Sequence, residues 1–370
     1  MNQCTPNAAG FDMSDRDMKV CVLGSGGALH QETTVPLDRG VLSIFLKGLR
    51  ELEPVIALET GTHANWMYDL LLELGFSKVI VADARMLKMI FQSDKKTDRL
   101  DARMLARFAQ SCPELLHAVQ PRGERARQDR RLLSARHISV EARTKLISHT
   151  RGIVKSTGSR LPDCDADNFS DLIGSLPENL AEILSPVMEA IRQLTEGIAR
   201  YDALIAKRCE GDPIIERLRQ VKCVGPITAL AFVATIENPM RFRRNRDVAS
   251  YVGVRPRIDQ SGMKDKQLRI TKAGDGYLRR LLVMSGQAIL RKSSPVTDLK
   301  RWGQSIAESG GKRGKRRAAV AVARKLSVLL LSLWKSGTDY EPLRQQSKEK
   351  AASAIKPKLR RMPQSSRQAA

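Results

Sequence analysis

Four acidic residues among the first hundred or so positions have the chemistry of a divalent-cation site. Asp98 and Asp101 stand three residues apart in the helix-type segment 96–102, so both carboxylates project from one helical face. Asp12 lies in the segment Ala-Gly-Phe-Asp-Met-Ser, and Glu59 ends an apolar run. Carboxylate oxygens are ligands that Mg²⁺ prefers, and a pair of such ions can activate a phosphodiester. The quartet therefore predicts metal-assisted chemistry on a phosphodiester.

The chain is strongly basic, which favours a polyanionic partner. It has 370 residues and a formal net charge of +23, and 42% of its residues are hydrophobic. Nucleic acid is the first candidate for such a field, and the length allows two or three domains. A basic ribosomal or membrane-surface protein would share the charge, but it would not normally carry a spaced acidic set as well.

Cysteine usage and hydropathy favour a cytoplasmic protein. The six cysteines form no C-x-x-C pair, so zinc is disfavoured and no disulfide framework is implied. No stretch approaches the length of a membrane span, and the N-terminus lacks a charged-then-apolar export signal.

The elements that must position the acids alternate between strand and helix patterns. Three strands are predicted first, then helix, strand, helix, strand, and finally the helix that carries Asp98 and Asp101. The predicted strands are 9–13, 19–23, 28–35, 55–58 and 79–82, and the predicted helices are 42–52 and 65–74. This order resembles the ribonuclease-H-like fold of RuvC-type nucleases, in which a first strand, a later strand and a final helix converge their acids. The sequence therefore predicts an α/β N-terminal ribonuclease-H-like (RuvC-like) domain.

A basic segment follows and predicts a helical, coiled-coil-like arm. Residues 121–160 hold eleven Lys or Arg and three Asp or Glu, with apolar residues at roughly helical spacing. A second apolar-repeat helix, 180–208, is a candidate partner in a hairpin or at an oligomer interface. An ordinary solvated helix face is the alternative, but the few acids favour phosphate contact. The candidate contacts are Arg127, Arg131, Arg143, Arg151 and Lys155.

Beyond residue 217 the sequence predicts a mainly α C-terminal domain. Segment 221–229 resembles a helix-hairpin-helix turn, where backbone N–H groups near Gly225 would meet a DNA phosphate. A polar loop at 259–262 contains Ser261, a helix begins near Tyr277, and a basic loop at 310–316 precedes a last helix at 317–334. Beyond 340 we expect a disordered basic tail. Further candidate phosphate contacts are Arg255, Arg269, Lys272, Arg279, Lys312 and Arg313.

The joint order of these motifs resembles one family. Bacterial transposases of insertion sequence family 110 pair an N-terminal RuvC-like DEDD domain with a C-terminal serine-bearing transposase domain. The similar segments, which lie within residues 9–343, are 11–14, 58–63, 96–102, 224–229, 255–256, 261–262, 270–275 and 277–280. No single segment is decisive, whereas their order is specific. The implied domains are 1–115, 116–215 and 216–342, followed by the tail 343–370.

The resemblance implies residue roles and partners. Asp12, Glu59, Asp98 and Asp101 would bind Mg²⁺, as two ions, and Ser261 would attack DNA and become transiently linked to it. A structured RNA would guide the reaction, and the protein would form a homo-oligomer, a dimer or tetramer, whose active sites combine the acidic domain of one subunit with the serine domain of another. His63 and Asp83 depart from residues more usual in the family, and Asp83 or Asp94 could join the metal site.

Two other functions remain open at this point. A RuvC-like nuclease would cut with water and use its second domain for docking, and a non-enzymatic nucleic-acid-binding protein would use its acids only structurally. Taken singly, each acid is an ordinary turn or salt-bridge residue. Glu59 is the exception, because an unpaired carboxylate at the end of a buried strand is costly. A Gln-Ser-Gly loop is usually just a turn, so only the resemblance singles out Ser261.

Overall fold

A computed structural model describes residues 7–90, 98–261 and 264–344. The side chains of 88–90, 258–261, 264–267 and 312 lie outside that description. The chain divides into two units, Met1–Gly123 and Glu124–Ala370. The finer division predicted at 115, 215 and 342 stays a prediction.

The first unit is built on a five-stranded mixed sheet. Its strands are β1 (Ala8–Met13), β2 (Asp17–Leu23), β3 (Leu29–Pro36), β4 (Val55–Glu59) and β5 (Val79–Ala82). The sheet order is β3-β2-β1-β4-β5, in which β1 pairs antiparallel with β2 and parallel with β4. All five strands predicted from the sequence are confirmed. The mixed order is consistent with a ribonuclease-H-like domain.

Helices cover both faces of this sheet, and strand alternation determines which side chains meet them. The helices are α1 (Arg39–Arg50), α2 (Ala64–Glu73), α3 (Ala84–Ile90) and α4 (Asp98–Ser111). Phe11, Ile56 and Leu58 are fully buried on the face covered by α1 and α2. Ala8 and Ala57 lie on the opposite face, in a separate core with residues of α4. The acid-bearing helix therefore packs on the sheet face opposite α1 and α2.

The second unit is mainly helical. Its helices are α5 (Glu124–Ser156), α6 (Glu178–Cys209), α7 (Pro213–Arg219), α8 (Pro226–Ile236), α9 (Val248–Val252), α10 (Gly276–Ile289), α11 (Asp298–Ser309) and α12 (Gly314–Ser336). The two long helices α5 and α6 pack together, and an Arg136 nitrogen donates to Asp202 at 3.0 Å across them. Buried apolar residues of α7, α8, α10 and α12 form one further core.

The structure differs from the sequence interpretation at two points in this unit. The expected polar loop around Ser261 is part of an antiparallel hairpin, β6 (Pro256–Ser261) with β7 (Lys264–Ile270). The expected basic loop before the last helix is shorter, because α12 begins at Gly314. A Cβ on Gly314 would lie 2.1 Å from the Ala307 carbonyl oxygen, so glycine permits α11 and α12 to meet there.

The expected disordered tail lies largely outside the described residues. Within the described part, no helix is long and apolar enough to cross a membrane.

Candidate functional site

Asp12 and Glu59 come together at the carboxyl ends of two neighbouring parallel strands. Phe11 of β1 is paired with Leu58 of β4. The next residue of each strand is the acid, so the two acids extend the same register and point to the same face of the sheet. Both are half-buried. Asp12 and Glu59 are therefore neighbours across two paired strands.

The face that carries Asp12 and Glu59 is made of small residues, and α4 lies close against it. A Cβ on Gly10 would lie 2.0 Å from the Ala102 carbonyl oxygen and 2.5 Å from the Ala106 nitrogen. Only glycine fits under backbone atoms at that distance. Sequence reasoning missed Gly10, although an isolated glycine inside a strand pattern is a known signal of close backbone approach.

The direction of α4 brings its acidic end to the same edge of the sheet. At the far end of the helix, the Gln110 side chain donates to the Gly24 carbonyl at 2.9 Å. Gly24 follows Leu23, which pairs with Ala8 at the start of β1. The C-terminus of α4 therefore lies beside the start of β1, and its N-terminus lies towards the end of β1.

The spacing of the acids along α4 and β1 agrees with this direction of α4. Asp98 precedes Ala102 by about 6 Å of helix rise, and Asp12 follows Gly10 by about 7 Å of strand rise. Asp98 and Asp101 occupy the first turn of α4, where the helix dipole stabilises carboxylates. Asp98 is exposed and Asp101 half-buried. All four predicted acids belong to one end of the first unit.

The donor chemistry fits a hard divalent cation, but the side chains are not drawn together around one point. In the parts of the chain that the structure describes, no group of three or more His, Cys, Asp and Glu side chains is arranged to hold a metal ion. Metal binding by these acids stays a prediction.

Two residues that depart from the family pattern have ordinary structural roles. The Asp83 carboxylate accepts from the Arg85 backbone at 3.0 Å and forms a 3.0 Å ion pair with the Arg85 guanidinium. The side-chain hydrogen bond from Arg85 holds the pKa of Asp83 below its usual value. Asp83 thus stabilises the start of α3. His63 accepts from the Trp66 indole N–H at 3.0 Å, a packing role. Asp94 lies outside the described residues.

Ser261 is the last residue of β6 and pairs with Lys264 across the hairpin. Its side chain lies outside the described residues, so its role stays a prediction. The base of the hairpin is closely packed, because a Cβ on Gly253 would lie 1.9 Å from the Ala273 carbonyl oxygen. The reciprocal contact is as close, since a Cβ on Gly274 would lie 1.9 Å from the Tyr251 carbonyl oxygen.

Arg279, a predicted phosphate contact, holds this base together. Its guanidinium donates to the Val252 carbonyl at 3.1 Å and to the Ala273 carbonyl at 3.0 Å. Asp275 caps α10 by accepting from the Leu278 backbone, and its other oxygen pairs with Arg130 of α5 at 2.7 Å. The loop that supports the hairpin is thereby tied to the long helix.

The predicted cations of α5 differ in how far they are presented to solvent. Arg127 and Arg131 pair with Glu124. Arg143 is 8% exposed and donates to Asp167 at 2.6 Å, so phosphate contact there would require this buried arginine to give up its bond to an exposed carboxylate. Arg151, a further predicted contact on α5, donates to the carbonyls of Leu161 and Pro162. Lys155, the last of the predicted contacts on this helix, is exposed.

The remaining predicted phosphate contacts lie mostly on the surface of the second unit. Gly225 is exposed at the N-cap of α8, where no side chain caps the helix. Arg255, Arg269, Lys272 and Arg313 are exposed, and the Lys312 side chain lies outside the description. Exposure leaves these groups accessible to a polyanion, and their binding role stays a prediction.

Sheet order and the helices on both faces define the first unit as a mixed α/β domain, which is consistent with the ribonuclease-H-like type. Comparison with known families narrows the class. A transposase model named for IS110 DEDD enzymes matches residues 9–158, and a model of the transposase IS116/IS110/IS902 family matches residues 215–300. Together they span more than half of the chain. The chain belongs to this family of insertion-sequence transposases.

Individual relatives agree with that assignment. A probable family 20 transposase of Pseudomonas aeruginosa is 29% identical over 304 residues, which cover 79% of this chain and 88% of that protein. The transposase for insertion sequence element IS1111A of Coxiella burnetii is 26% identical over 288 residues, which cover 75% of this chain and 77% of that protein. DNA binding, with DNA cleavage and exchange, is implied by the family.

Proposed function

We propose that this transposase breaks and rejoins DNA by metal-assisted phosphoryl transfer with a serine nucleophile. In this proposal Asp12, Glu59, Asp98 and Asp101 hold Mg²⁺, and Ser261 attacks the phosphodiester. The observation that carries it is the Gly10 contact, which aligns α4 so that the acids of the helix and of both strands share one end of the first unit. When bound, the ions would neutralise the phosphodiester and stabilise the attacking and leaving oxygens.

The chain's own groups supply the remaining chemistry. The Ser261 hydroxyl loses its proton, its oxygen bonds to phosphorus, and one DNA oxygen leaves as a hydroxyl. Because one phosphoester bond replaces another, rejoining needs no external nucleotide. Exposed Arg255, Arg269 and Lys272 lie near Ser261 along the chain and would neutralise the DNA backbone.

The proposal includes two partners that the family resemblance implies. A structured RNA would pair with donor and target DNA, and a homo-oligomer, dimer or tetramer, would combine acids from one subunit with the serine of another. The net charge of +23 is compatible with binding two nucleic acids.

The decisive experiment compares Ser261→Ala and Glu59→Gln with the wild type on a plasmid that carries the gene and its flanking DNA. Ser261→Ala should abolish covalent protein–DNA adducts and leave Mg²⁺ binding, measured by calorimetry, unchanged. Glu59→Gln should weaken Mg²⁺ binding and stop strand chemistry while sparing DNA binding. Asp83→Asn is the matched control, since it removes a nearby carboxylate that pairs with Arg85.

Each alternative has its own outcome. If the Ser261→Ala variant still cleaves DNA and no covalent adduct forms, the protein is a nuclease that uses water. Strand chemistry unaffected by Glu59→Gln would refute the acidic site. Wild-type protein that binds DNA but never cuts or joins it would favour an architectural protein.

A further inference from the structure

A short basic segment between α8 and α9 is absent from the predicted binding residues. Residues 238–247, Asn-Pro-Met-Arg-Phe-Arg-Arg-Asn-Arg-Asp, contain four arginines and one aspartate. We refer to them as the arginine strap. The strap consists of two single turns of 3₁₀ helix, Pro239–Arg241 and Asn245–Asp247. All four arginines are exposed.

The backbone of the strap is held firmly to the second unit. Asn238 accepts from the Met240 backbone at 2.9 Å and caps the first turn. Phe242 is 7% exposed and belongs to the main core of the unit, while its carbonyl accepts from the Lys335 side chain of α12. Val248, directly after the strap, is fully buried. The segment is therefore an anchored surface rather than a loose loop.

Within the strap, the arginines have different local partners. Arg244 pairs with Asp247 at 3.2 Å, and its side-chain hydrogen bond keeps the pKa of Asp247 below its usual value. Arg241 lies over the Tyr251 ring at 4.7 Å from its centroid. Across the described residues, neither Arg243 nor Arg246 forms a salt bridge or a side-chain hydrogen bond. Three guanidinium groups are thus available to an external anion.

The stacking of Arg241 has a consequence for binding. A guanidinium held over an aromatic ring keeps its charge and its donors, but it loses less side-chain entropy when it meets a ligand. Guanidinium groups bind phosphate oxygens through paired N–H donors, which a point charge cannot do. Several such groups on an anchored backbone suit a series of phosphates.

The strap also borders the base of the hairpin whose first strand, β6, ends at Ser261. Tyr251, on which Arg241 stacks, presents its carbonyl oxygen to Gly274 in the loop that supports the hairpin. Lys272 of that loop is exposed and donates its backbone N–H to the Gly253 carbonyl. Arg241 and Lys272 therefore belong to one continuous part of the second unit.

We propose that Arg241, Arg243 and Arg246 form a binding site for the sugar–phosphate backbone of duplex DNA, next to the hairpin that carries Ser261. Contacts to phosphates carry no base information, so the site would hold DNA in register without selecting a sequence. The choice of DNA as the partner rests on the function proposed above, because DNA is the molecule that Ser261 would attack.

The test is a salt titration of binding to a 30-base-pair DNA duplex of arbitrary sequence, with full-length protein on the Ser261→Ala background. Each phosphate contact contributes about 0.9 to the slope of log affinity against log salt. The variant Arg241→Gln/Arg243→Gln/Arg246→Gln should lower that slope by about 2 to 3 and weaken binding at 100 mM salt by about tenfold or more. The titration measures binding rather than strand chemistry, so an error in the serine assignment would leave this result intact.

A second triple variant controls for overall charge. Arg192→Gln/Arg200→Gln/Lys207→Gln removes the same three charges from exposed positions of α6, where Arg192 pairs with Glu189 and Glu196. Its slope should stay at the wild-type value. An equal fall in both variants would overturn the proposal, since the effect would then belong to the general field of the protein.

Two further measurements complete the design. The double variant Arg243→Gln/Arg246→Gln leaves the Arg241–Tyr251 stack intact. It replaces the triple variant if circular dichroism shows that the triple variant is unfolded. The double variant should lower the slope by about 2. An RNA duplex of the same sequence is titrated in parallel. Unchanged DNA binding, whether or not RNA binding is lost, would overturn the proposal.

Discussion

Replacing Gly10 with alanine tests whether α4 is held in the position that aligns the acids. The added Cβ would lie 2.0 Å from the Ala102 carbonyl oxygen and 2.5 Å from the Ala106 nitrogen, with the Leu105 Cβ at 3.0 Å. A carbon needs about 3.5 Å from such atoms, so the helix must move by about 1 Å or more. Because the obstructing atoms are helical backbone, rotation of a side chain cannot relieve the overlap.

The expected cost follows from overpacking of a close contact. We expect Gly10→Ala to lower the free energy of unfolding by about 1–3 kcal/mol. A shift of about 1 Å in the helix that carries Asp98 and Asp101 should slow strand cleavage by about 100-fold. Urea unfolding followed by circular dichroism measures the first quantity, and plasmid cleavage at saturating DNA measures the second.

Gly48→Ala is a matched control. Gly48 lies within α1, and a Cβ added there meets no atom within 4 Å. Alanine is the better helix former, so this change should raise the free energy of unfolding by about 0.5–1 kcal/mol. A Gly10→Ala protein as stable and as active as the wild type would refute the close contact, and with it the alignment of the acids.

Three other predictions concern the hairpin base, the oligomer and the start of α3. Arg279→Ala should slow adduct formation at least tenfold, while the slope of log DNA affinity against log salt stays unchanged. Arg279→Lys should restore part of the rate. A slope reduced by about 1 in Arg279→Ala would instead identify Arg279 as a phosphate contact. Mixing the inactive variants Glu59→Gln and Ser261→Ala should restore adducts if sites combine two subunits, and no recovery at any mixing ratio would contradict this. Asp83→Asn should cost about 0.5 kcal/mol of unfolding free energy at pH 7, because it removes the charge that pairs with Arg85 while asparagine can still cap α3. Because the folded pKa of Asp83 is lowered, this contribution exists above the ordinary Asp pKa of about 3.9 and is lost as the pH falls through the lowered value. An equal difference between wild type and Asp83→Asn in thermal melts at pH 7 and in strong acid would contradict that role.

The sequence was most informative where a short-range pattern alone determines whether a segment forms a strand or a helix. Alternation and apolar runs predicted all five strands of the first unit, because burial of a sheet face requires period-two patterning. The carboxyl ends of β1 and β4 then followed from strand order. Gly10 illustrates the limit, since a glycine in a strand shows that something comes close but not that the neighbour is Ala102 of a helix about ninety residues later.

The second unit was harder to predict for a related reason. The hairpin around Ser261 is rich in charged and polar residues and lacks an apolar alternation, so the pattern indicated a loop. Its position depends on the Gly253 and Gly274 contacts and on Arg279, which are interactions between distant segments. Composition does not distinguish a cation that binds carbonyl groups, as Arg279 does, from one that faces solvent.

That distinction changes how the net charge of the transposase should be interpreted. Arg136, Arg143 and Arg279 are all engaged with carboxylates or carbonyls of the fold, and each would have to give up those bonds to meet DNA. The arginines of the strap face solvent and have no such cost, apart from Arg244. The salt dependence of DNA binding should therefore follow the number of presented cations rather than the formal charge of +23. Among equally basic segments, those with a buried backbone anchor and outward guanidinium groups should contribute most to the salt dependence of DNA binding.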